Sequence, residues 1–324
     1  MLISCSWLNE LLEGAPISLG EHAGAVTPAR VAEILTNLGL EVDGVSHHEL
    51  AGVIVGELRS VERHPNSEKL SLVSLFDGEQ ELQVVCGAQN LPGVGGKVAF
   101  APVGTILPGG LELTVREVRG LESRGMICSE DELEIGSDGD GILILPQDWA
   151  AGTPLTRLVP GIVDVVIEIA VTPNRPDALG HMGVAIDLSV ALTKELGKTI
   201  STRTPKLAAL KPAEAAHNPE LVAIPAGDRC GRYLGYALAD AKVGRSPLWL
   251  RVRLHRVGLR AINDVVDITN LVLMETGQPL HAFDRDKLGQ GRVVVRMAAA
   301  DEPMTTLDDS EVTLTADDLV IADA

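Results

Sequence analysis

The sequence predicts a multidomain α+β protein in which a small β-barrel follows a helical lead-in and precedes a mixed α/β region. Three observations predict this fold class. The chain has 324 residues, more than one typical domain. Its apolar pattern changes from helical spacing to short strands near residue 46, and mixed elements return near residue 149. The hydrophobic fraction of 45% is sufficient for several cores, and aromatic residues at 2% leave aliphatic side chains to fill them.

Residues 1–45 are predicted to form the helical lead-in. Thr27 and Pro28 provide an N-cap and a first-turn proline. The run VAEILTNL has apolar residues at helical spacing, and Gly39 stands where a helix-ending glycine belongs. The apolar face of this helix is expected to pack on a neighbouring element.

Residues 149–200 are expected to complete the lead-in domain with a strand, a proline-rich loop and a helix. Met182, Ile186 and Val190 recur at i, i+4 and i+8, so they define the predicted apolar face of that helix. Gly197 marks its predicted end.

Residues 46–148 are predicted to form the barrel. Turn sequences such as Asp77-Gly78 separate short runs of strand-forming residues. Six such strands have the proportions of an OB-fold, a small closed barrel. The runs are GVIVGELRSVER, KLSLVSLF, ELQVVC, KVAFA, LELTVREV and GILILP.

Residues 201–228 are rich in Ala, Pro and Lys and are predicted to be a linker. Residues 229–324 then begin with a predicted strand, RYLGYALADAKV, and a helix, PLWLRVRLHRV, that Ser246 and Pro247 are expected to cap. A second helix is predicted from about Asp264 to Thr276, and further strands follow. The last strand predicts an open sheet edge, which either a partner or further chain would complete.

The segment between Leu259 and Asp284 combines core-like apolarity with a dense set of polar side chains. Unpaired polar groups in such surroundings cost about 1–3 kcal/mol each, so the set indicates either a satisfied internal network or a binding site. We call it the polar cluster, and its members are Asn263, Asp264, Asp267, Thr269, Asn270, Gln278, His281 and Asp284.

Charge is distributed unevenly along the chain. The net charge of -18 argues against a protein that coats nucleic acid with its whole surface. Between residues 229 and 260, however, eight basic residues accompany one acidic residue. Arg253, Arg256 and Arg260 recur at i, i+3 and i+7 and are expected to share one helix face. A solvated face and a phosphate-facing patch are both compatible with this spacing.

The four cysteines are far apart and form no CxxC or Cys/His cluster, so we expect no metal site on this chain. No apolar run approaches the ~18 residues of a membrane span, and no signal peptide is evident. A cytoplasmic protein is expected, with neither a membrane nor a DNA partner.

Motifs in the predicted barrel occur in a characteristic order. They are HPNSEKL at 64–70, VCGAQN at 85–90, LPGG at 107–110 and GMICS at 125–129. The segment resembles the OB-type tRNA-binding domain shared by several synthetase-associated proteins. Arg116 and Arg119 alternate there with Glu112 and Glu117, which is consistent with weak or auxiliary RNA contact. The alternative is a barrel kept only as architecture.

Three further blocks, at 171–197, 232–254 and 262–284, resemble the β-subunits of bacterial phenylalanyl-tRNA synthetases. The resemblance implies an α₂β₂ complex whose α-subunit binds ATP and Mg²⁺ and attaches phenylalanine to tRNA(Phe). The β-subunit would contribute tRNA contacts and would hydrolyse mischarged Tyr-tRNA(Phe), an editing reaction. It also implies that residues 229–324 are the N-terminal part of a longer editing domain. A non-catalytic tRNA-binding or assembly module is the alternative.

The resemblance assigns the editing pocket to Thr269, Asn270, Pro279 and His281. Thr269 and Asn270 would hold the ribose or the α-amino group, Pro279 would fix the backbone, and His281 would orient the terminal adenosine or a water. The acidic residue that recognises the tyrosine hydroxyl is expected beyond Ala324. We therefore expect this chain not to edit efficiently by itself.

Overall fold

The structure is a computed structural model that describes residues 1–19, 26–204, 220–306 and 309–324. It divides into two compact units, which are described separately. The first unit comprises Met1–Thr204 and Gly244–Leu280, and the second comprises Pro205–Val243 and His281–Ala324. Most of the predicted linker, from residue 205 to residue 219, lies outside the described residues. In the part of the chain that is described, no helix is long and apolar enough to cross a membrane.

The six α-helices among the described residues all belong to the first unit. They are α1 (Cys5–Leu11), α2 (Pro28–Asn37), α3 (Leu155–Leu158), α4 (His181–Leu196), α5 (Leu248–Arg256) and α6 (Asp264–Thr276). Short 3₁₀ helices occupy Pro176–Leu179, Arg285–Lys287 and Gly289–Gly291.

The strands of the first unit are β1 (Leu2–Ser4), β2 (Leu12–Glu13), β3 (Glu41–His48), β4 (Ile54–Arg63), β5 (Ser71–Phe76), β6 (Glu81–Cys86), β7 (Lys97–Ala101), β8 (Arg116–Val118), β9 (Leu121–Ser123), β10 (Met126–Ile127), β11 (Ile144–Leu145), β12 (Asp164–Ala170) and β13 (Ser201–Thr202). Those of the second unit are β14 (Val222–Ala223), β15 (Val293–Met297), β16 (Glu302–Thr305), β17 (Glu311–Leu314) and β18 (Leu319–Asp323).

An antiparallel sheet in the order β1-β12-β3 forms the centre of the helical part of the first unit. Helices α1, α2 and α4 contribute to one core beneath it, together with Ile167 of the central strand. The predicted start of helix α2 is confirmed, because the Thr27 hydroxyl accepts a hydrogen bond from the Arg30 N–H and Pro28 is the first helical residue. Strands β1 and β3 were not predicted.

Helix α4 packs with a different face from the one that the spacing predicted. Ile186 is 49% exposed and Val190 is 68% exposed. The buried face carries Val184, Ala185 and Leu188 instead. Apolar residues surround much of this helix, so a second stripe satisfied the same periodicity and the sequence alone selected the wrong one. The predicted end is confirmed, since Gly197 has a φ of +63° and caps the helix.

The predicted OB-type barrel is confirmed, but the predicted strand LELTVREV is wrong, because only its last residues form a strand, β8, which pairs with β9 outside the barrel sheet. Its sheet has the order β10-β7-β4-β5-β6, and β11 also pairs with β7. Strand β7 is buried at all five positions because its two faces meet different cores: Ala99 faces one cluster, and Val98 and Phe100 face the other. A register shift between Leu58 and Ser60 bends the long strand β4, as a β-bulge does in a small barrel.

The second unit contains a sheet in the order β14-β15-β18 and a hairpin of β16 and β17. The predicted strand RYLGYALADAKV is wrong, because residues 232–243 have no ladder partner among the described residues. Its alternating apolar residues Leu234, Tyr236 and Leu238 are exposed. Alternation fits an extended backbone, but a strand also requires a neighbour that accepts and donates its hydrogen bonds.

Candidate functional site

Helix α6 and its N-cap residue carry five of the eight residues of the polar cluster, and three of these five hold the start of the helix. The Asn263 carboxamide oxygen accepts from the Val266 N–H at 3.0 Å, which makes Asn263 the N-cap. The Asp264 carboxylate accepts from the Gly244 N–H at 2.9 Å. The fully buried Asp267 accepts from the Ile262 N–H and the Ser246 hydroxyl. The hydrogen bonds of these three residues therefore form an internal network.

The interaction with Asp267 also corrects the prediction for helix α5. Ser246 directs its hydroxyl to Asp267, and Pro247 precedes helix α5 without a side-chain cap. Helix α5 therefore begins at Leu248, held by burial of its apolar residues and not by a capping hydroxyl.

Three of the four predicted pocket residues belong to the first unit. Thr269 and Asn270 are half-buried neighbours on helix α6. The Thr269 hydroxyl donates to the Val266 carbonyl at 2.7 Å, whereas the Asn270 carboxamide makes no side-chain hydrogen bond within the described ranges. Gly277, with a φ of +75°, ends the helix as predicted, and the exposed Pro279 follows two residues later.

The fourth predicted pocket residue, His281, belongs to the second unit. Its imidazole is exposed and lies 4.5 Å from the ring of Phe283, centroid to centroid. Both imidazole nitrogens are without a hydrogen bond to any described residue, so they are free to meet a ligand or water.

The three arginines between residues 253 and 260 that were predicted to contact tRNA occupy three different environments. Arg256 is only 4% exposed and donates to the carbonyls of Gly161, Ile162 and Glu134. Its burial lowers the pKa of the guanidinium. These contacts support a structural role, and the predicted tRNA contact of Arg256 has no free guanidinium edge to support it.

Arg253 is mostly covered and lies between the rings of Trp7 and Trp249, at 5.0 and 5.3 Å from their centroids. It also forms an ion pair with Glu10. Arg260 lies beyond the end of helix α5 and is exposed, so the three arginines do not share one helix face. Among them, Arg260 is the residue best placed for a phosphate, and its tRNA contact stays a prediction.

The HPN motif of the barrel positions the loop that carries the other two predicted tRNA contacts. The buried His64 accepts from the Asn66 N–H at Nδ1 and bonds the Val118 carbonyl through Nε2 at 3.2 Å. The Asn66 carboxamide donates to the Arg119 carbonyl at 3.0 Å. Arg116 and Arg119 are both exposed, and Arg119 has a φ of +49° at the tip of the β8–β9 hairpin.

A buried ion pair of Glu130 and Arg251, extended at the surface by Arg245 and Asp138, was not predicted. Glu130 of the barrel accepts from both Arg245 and Arg251, and Arg245 also donates to Asp138 at 2.7 Å. Burial raises the pKa of Glu130 and lowers the pKa of Arg251, although each charge favours the ionised form of the other. The network borders a cleft of about 440 Å³. The two acidic residues lie more than 100 positions before the two arginines, and no local signal in the sequence pairs them.

Metal-binding geometry is not evident in the part of the chain that the structure describes. Among the described residues, no three His, Cys, Asp or Glu side chains are grouped so that they could hold a metal ion. Within those residues the side chains do not fit a Mg²⁺ site.

Comparison with known proteins identifies two domains. Residues 53–154 match the family of the tRNA binding domain, and residues 229–324 match the family described as the B3/4 domain. The matches define a class of protein that combines a tRNA-binding barrel with a B3/4 domain.

Similar sequences define the family. The phenylalanine–tRNA ligase beta subunits of Geobacter metallireducens, Anaeromyxobacter dehalogenans and Porphyromonas gingivalis are each 41% identical to the chain across its whole length. The chain spans 38% of the first two relatives and 39% of the third. It belongs to the family of phenylalanine–tRNA ligase beta subunits.

Proposed function

We propose that this chain contacts tRNA(Phe) and contributes an editing pocket to phenylalanine–tRNA ligase. The observation that supports the pocket is the division of the polar cluster: Asn263, Asp264 and Asp267 are satisfied internally, whereas the Asn270 carboxamide is half-buried without a described partner. The proposed partners are an α-subunit in an α₂β₂ complex and tRNA(Phe). ATP and Mg²⁺ would serve the α-subunit, which attaches the amino acid.

Editing has a physical rationale in this reaction. A synthetic site shaped for an apolar ring rejects an analogue with one added hydroxyl by only about 100-fold. Tyrosine differs from phenylalanine in that way, so hydrolysis at a second site raises the overall selectivity.

Residues of helix α6 suit the recognition of the aminoacyl ester. Because the Thr269 proton is donated to the Val266 carbonyl, the hydroxyl oxygen retains only acceptor capacity. An α-ammonium group is a matching donor. The Asn270 carboxamide both donates and accepts, which suits a ribose hydroxyl. Pro279 fixes the local backbone, and His281 would position the adenosine or the attacking water, since precise placement supplies much of such a rate enhancement.

The test compares variants of the intact β-subunit in complex with its α-subunit. We expect Asn270→Ala and His281→Ala to lower hydrolysis of Tyr-tRNA(Phe) at least tenfold and to leave phenylalanine attachment intact. Thr269→Val should lower hydrolysis as well. Its matched control is Thr36→Val on helix α2, which removes another helix hydroxyl bonded to a preceding carbonyl. Wild-type hydrolysis in all three pocket variants would exclude the pocket.

We propose that the barrel contributes weak tRNA contact through Arg116 and Arg119, which are exposed on the hairpin that the HPN motif holds. Reversing both charges should reduce the salt dependence of tRNA binding by about one to two phosphate contacts. An unchanged slope would favour a barrel that is only architectural.

A further inference from the structure

The last turn of helix α6 is attached at three points to the N-terminal part of the first unit. His181 bonds the Met274 carbonyl, Trp7 bonds the Glu275 carboxylate, and Gly180 lies directly against Gly277. All three contacts fall on residues 274–277, immediately before the segment that carries Pro279.

His181 is completely buried, and both of its ring nitrogens are used. The Nδ1–H donates to the Met274 carbonyl at 2.7 Å, and Nε2 accepts from the Ser4 N–H at 3.1 Å. The ring is therefore neutral with its proton on Nδ1, and burial lowers its pKa to about 4, so this arrangement persists at neutral pH.

The carbonyl that His181 meets needs an external donor. The last four carbonyls of an α-helix have no partner within the helix. At the end of helix α6, the Gly277 N–H satisfies the Leu273 carbonyl at 2.8 Å, and the next carbonyl, that of Met274, receives the His181 proton. A side chain of helix α4 thus supplies a C-terminal cap to helix α6.

Trp7 and Gly180 strengthen the same attachment. The Trp7 ring stacks on His181 at a centroid distance of 4.1 Å, and its indole N–H donates to Glu275 at 2.9 Å. A Cβ added at Gly180 would lie 2.5 Å from the Gly277 nitrogen. The backbones of the two segments therefore approach as closely as only a residue without a side chain permits.

We propose that His181, with Trp7 and Gly180, positions the Gln278–Pro279 segment of the editing pocket. The proposal rests on the proposed function, because it takes Thr269, Asn270 and Pro279 as pocket residues. It adds a positioning residue that touches neither substrate nor reacting atoms. Helix α6 carries Thr269 and Asn270, and Pro279 follows its C-terminus. Fixing the last helical turn therefore fixes the position at which Pro279 meets the substrate.

Two substitutions separate the cap on helix α6 from the general contribution of a buried side chain. His181→Asn retains a donor near the Nδ1 position and so keeps the bond to Met274, but it loses the acceptor for Ser4. His181→Gln retains an acceptor near the Nε2 position and keeps the bond to Ser4, but it loses the donor to Met274. Both lose the stack on Trp7. Ile167→Ala, which removes buried volume from strand β12 in the same core, is the stability control.

Each variant is tested in the intact β-subunit with its α-subunit, by Tyr-tRNA(Phe) hydrolysis, phenylalanine attachment, thermal midpoint and amide hydrogen exchange of Gly277, Gln278 and Leu280. We expect His181→Gln to lower kcat/KM for hydrolysis at least tenfold and to accelerate exchange at Gly277 and Gln278. His181→Asn should lose less than threefold at a similar thermal midpoint, and Trp7→Phe should lose three- to tenfold. Phenylalanine attachment should not change.

The outcomes distinguish the proposal from its premise. Equal losses in His181→Gln and His181→Asn, following the thermal midpoint as Ile167→Ala does, would show a core residue and overturn the proposal. Unchanged exchange in His181→Gln would overturn the cap on helix α6 directly. Faster exchange with unchanged hydrolysis would overturn the proposal through its premise, because the pocket would then lie elsewhere while the attachment remained.

Discussion

Replacing Arg256 with methionine is expected to destabilise the first unit by about 3–5 kcal/mol, because three backbone carbonyls lose a charged donor. The guanidinium satisfies the carbonyls of Gly161, Ile162 and Glu134 at 3.2, 2.7 and 2.7 Å. Bonds from a charged donor contribute about 1.5–3 kcal/mol each, and removal of the buried charge offsets part of the loss. Arg256→Lys should be intermediate, since a compact ammonium cannot reach three carbonyls as a planar fork does.

Thermal unfolding and tRNA binding measure the two possible roles of Arg256 separately. A loss of this size should lower the thermal midpoint by roughly 10 °C in a unit of this length. The matched control is the exposed Arg260→Met, for which we expect a change of no more than about 0.5 kcal/mol. In tRNA binding the order should reverse: Arg260→Met should reduce the salt slope by about one phosphate, and Arg256→Met should leave it unchanged.

One result would refute this reasoning. If Arg256→Met unfolds at the wild-type temperature and binds tRNA with a reduced salt slope, the guanidinium contacts phosphate in solution. The three carbonyl bonds would then contribute nothing measurable to stability.

Further predictions concern space, pH and thiol reactivity. Gly180→Ala should cost about 1–3 kcal/mol in unfolding experiments, because its Cβ would overlap backbone atoms. Burial lowers the pKa of His181 from 6.5 to about 4, so on acidification the unfolded chain binds the proton before the folded chain does. The free energy of unfolding should therefore fall as the pH drops from 6.5 to 4, by up to about 3 kcal/mol. His181→Gln should flatten this part of the pH profile of stability. Cys128 is buried with its pKa raised to about 12, so maleimide should label the partly exposed Cys230 much faster.

Local signals explain what the sequence predicted well. Thr27 and Pro28 start helix α2, and Gly197 and Gly277 end helices α4 and α6, because caps and left-handed glycines act within one helical turn. The barrel could be predicted equally well, since each of its short alternating strands and turns is encoded within about ten residues.

Predictions that depended on distant partners were less successful. The spacing of Ile186 and Val190 indicated an apolar face, but the core buries Val184, Ala185 and Leu188 of helix α4 instead. Arg256 lies in a basic segment, yet residues from 134 to 162 determine its environment. The segment 232–243 alternates as a strand does, yet no described residue pairs with it. In each case the deciding contact is far away in sequence.

The polar cluster combines both situations. Its first three residues, Asn263, Asp264 and Asp267, accept hydrogen bonds that hold the start of helix α6. Further along the helix, the Asn270 carboxamide is half-buried and has no partner among the described residues. A ligand that bonds to Asn270 would not have to displace a hydrogen bond made by a described residue. Asn270 and His281 are therefore the members of the cluster whose side chains make no hydrogen bond to a described residue, and both are proposed pocket residues.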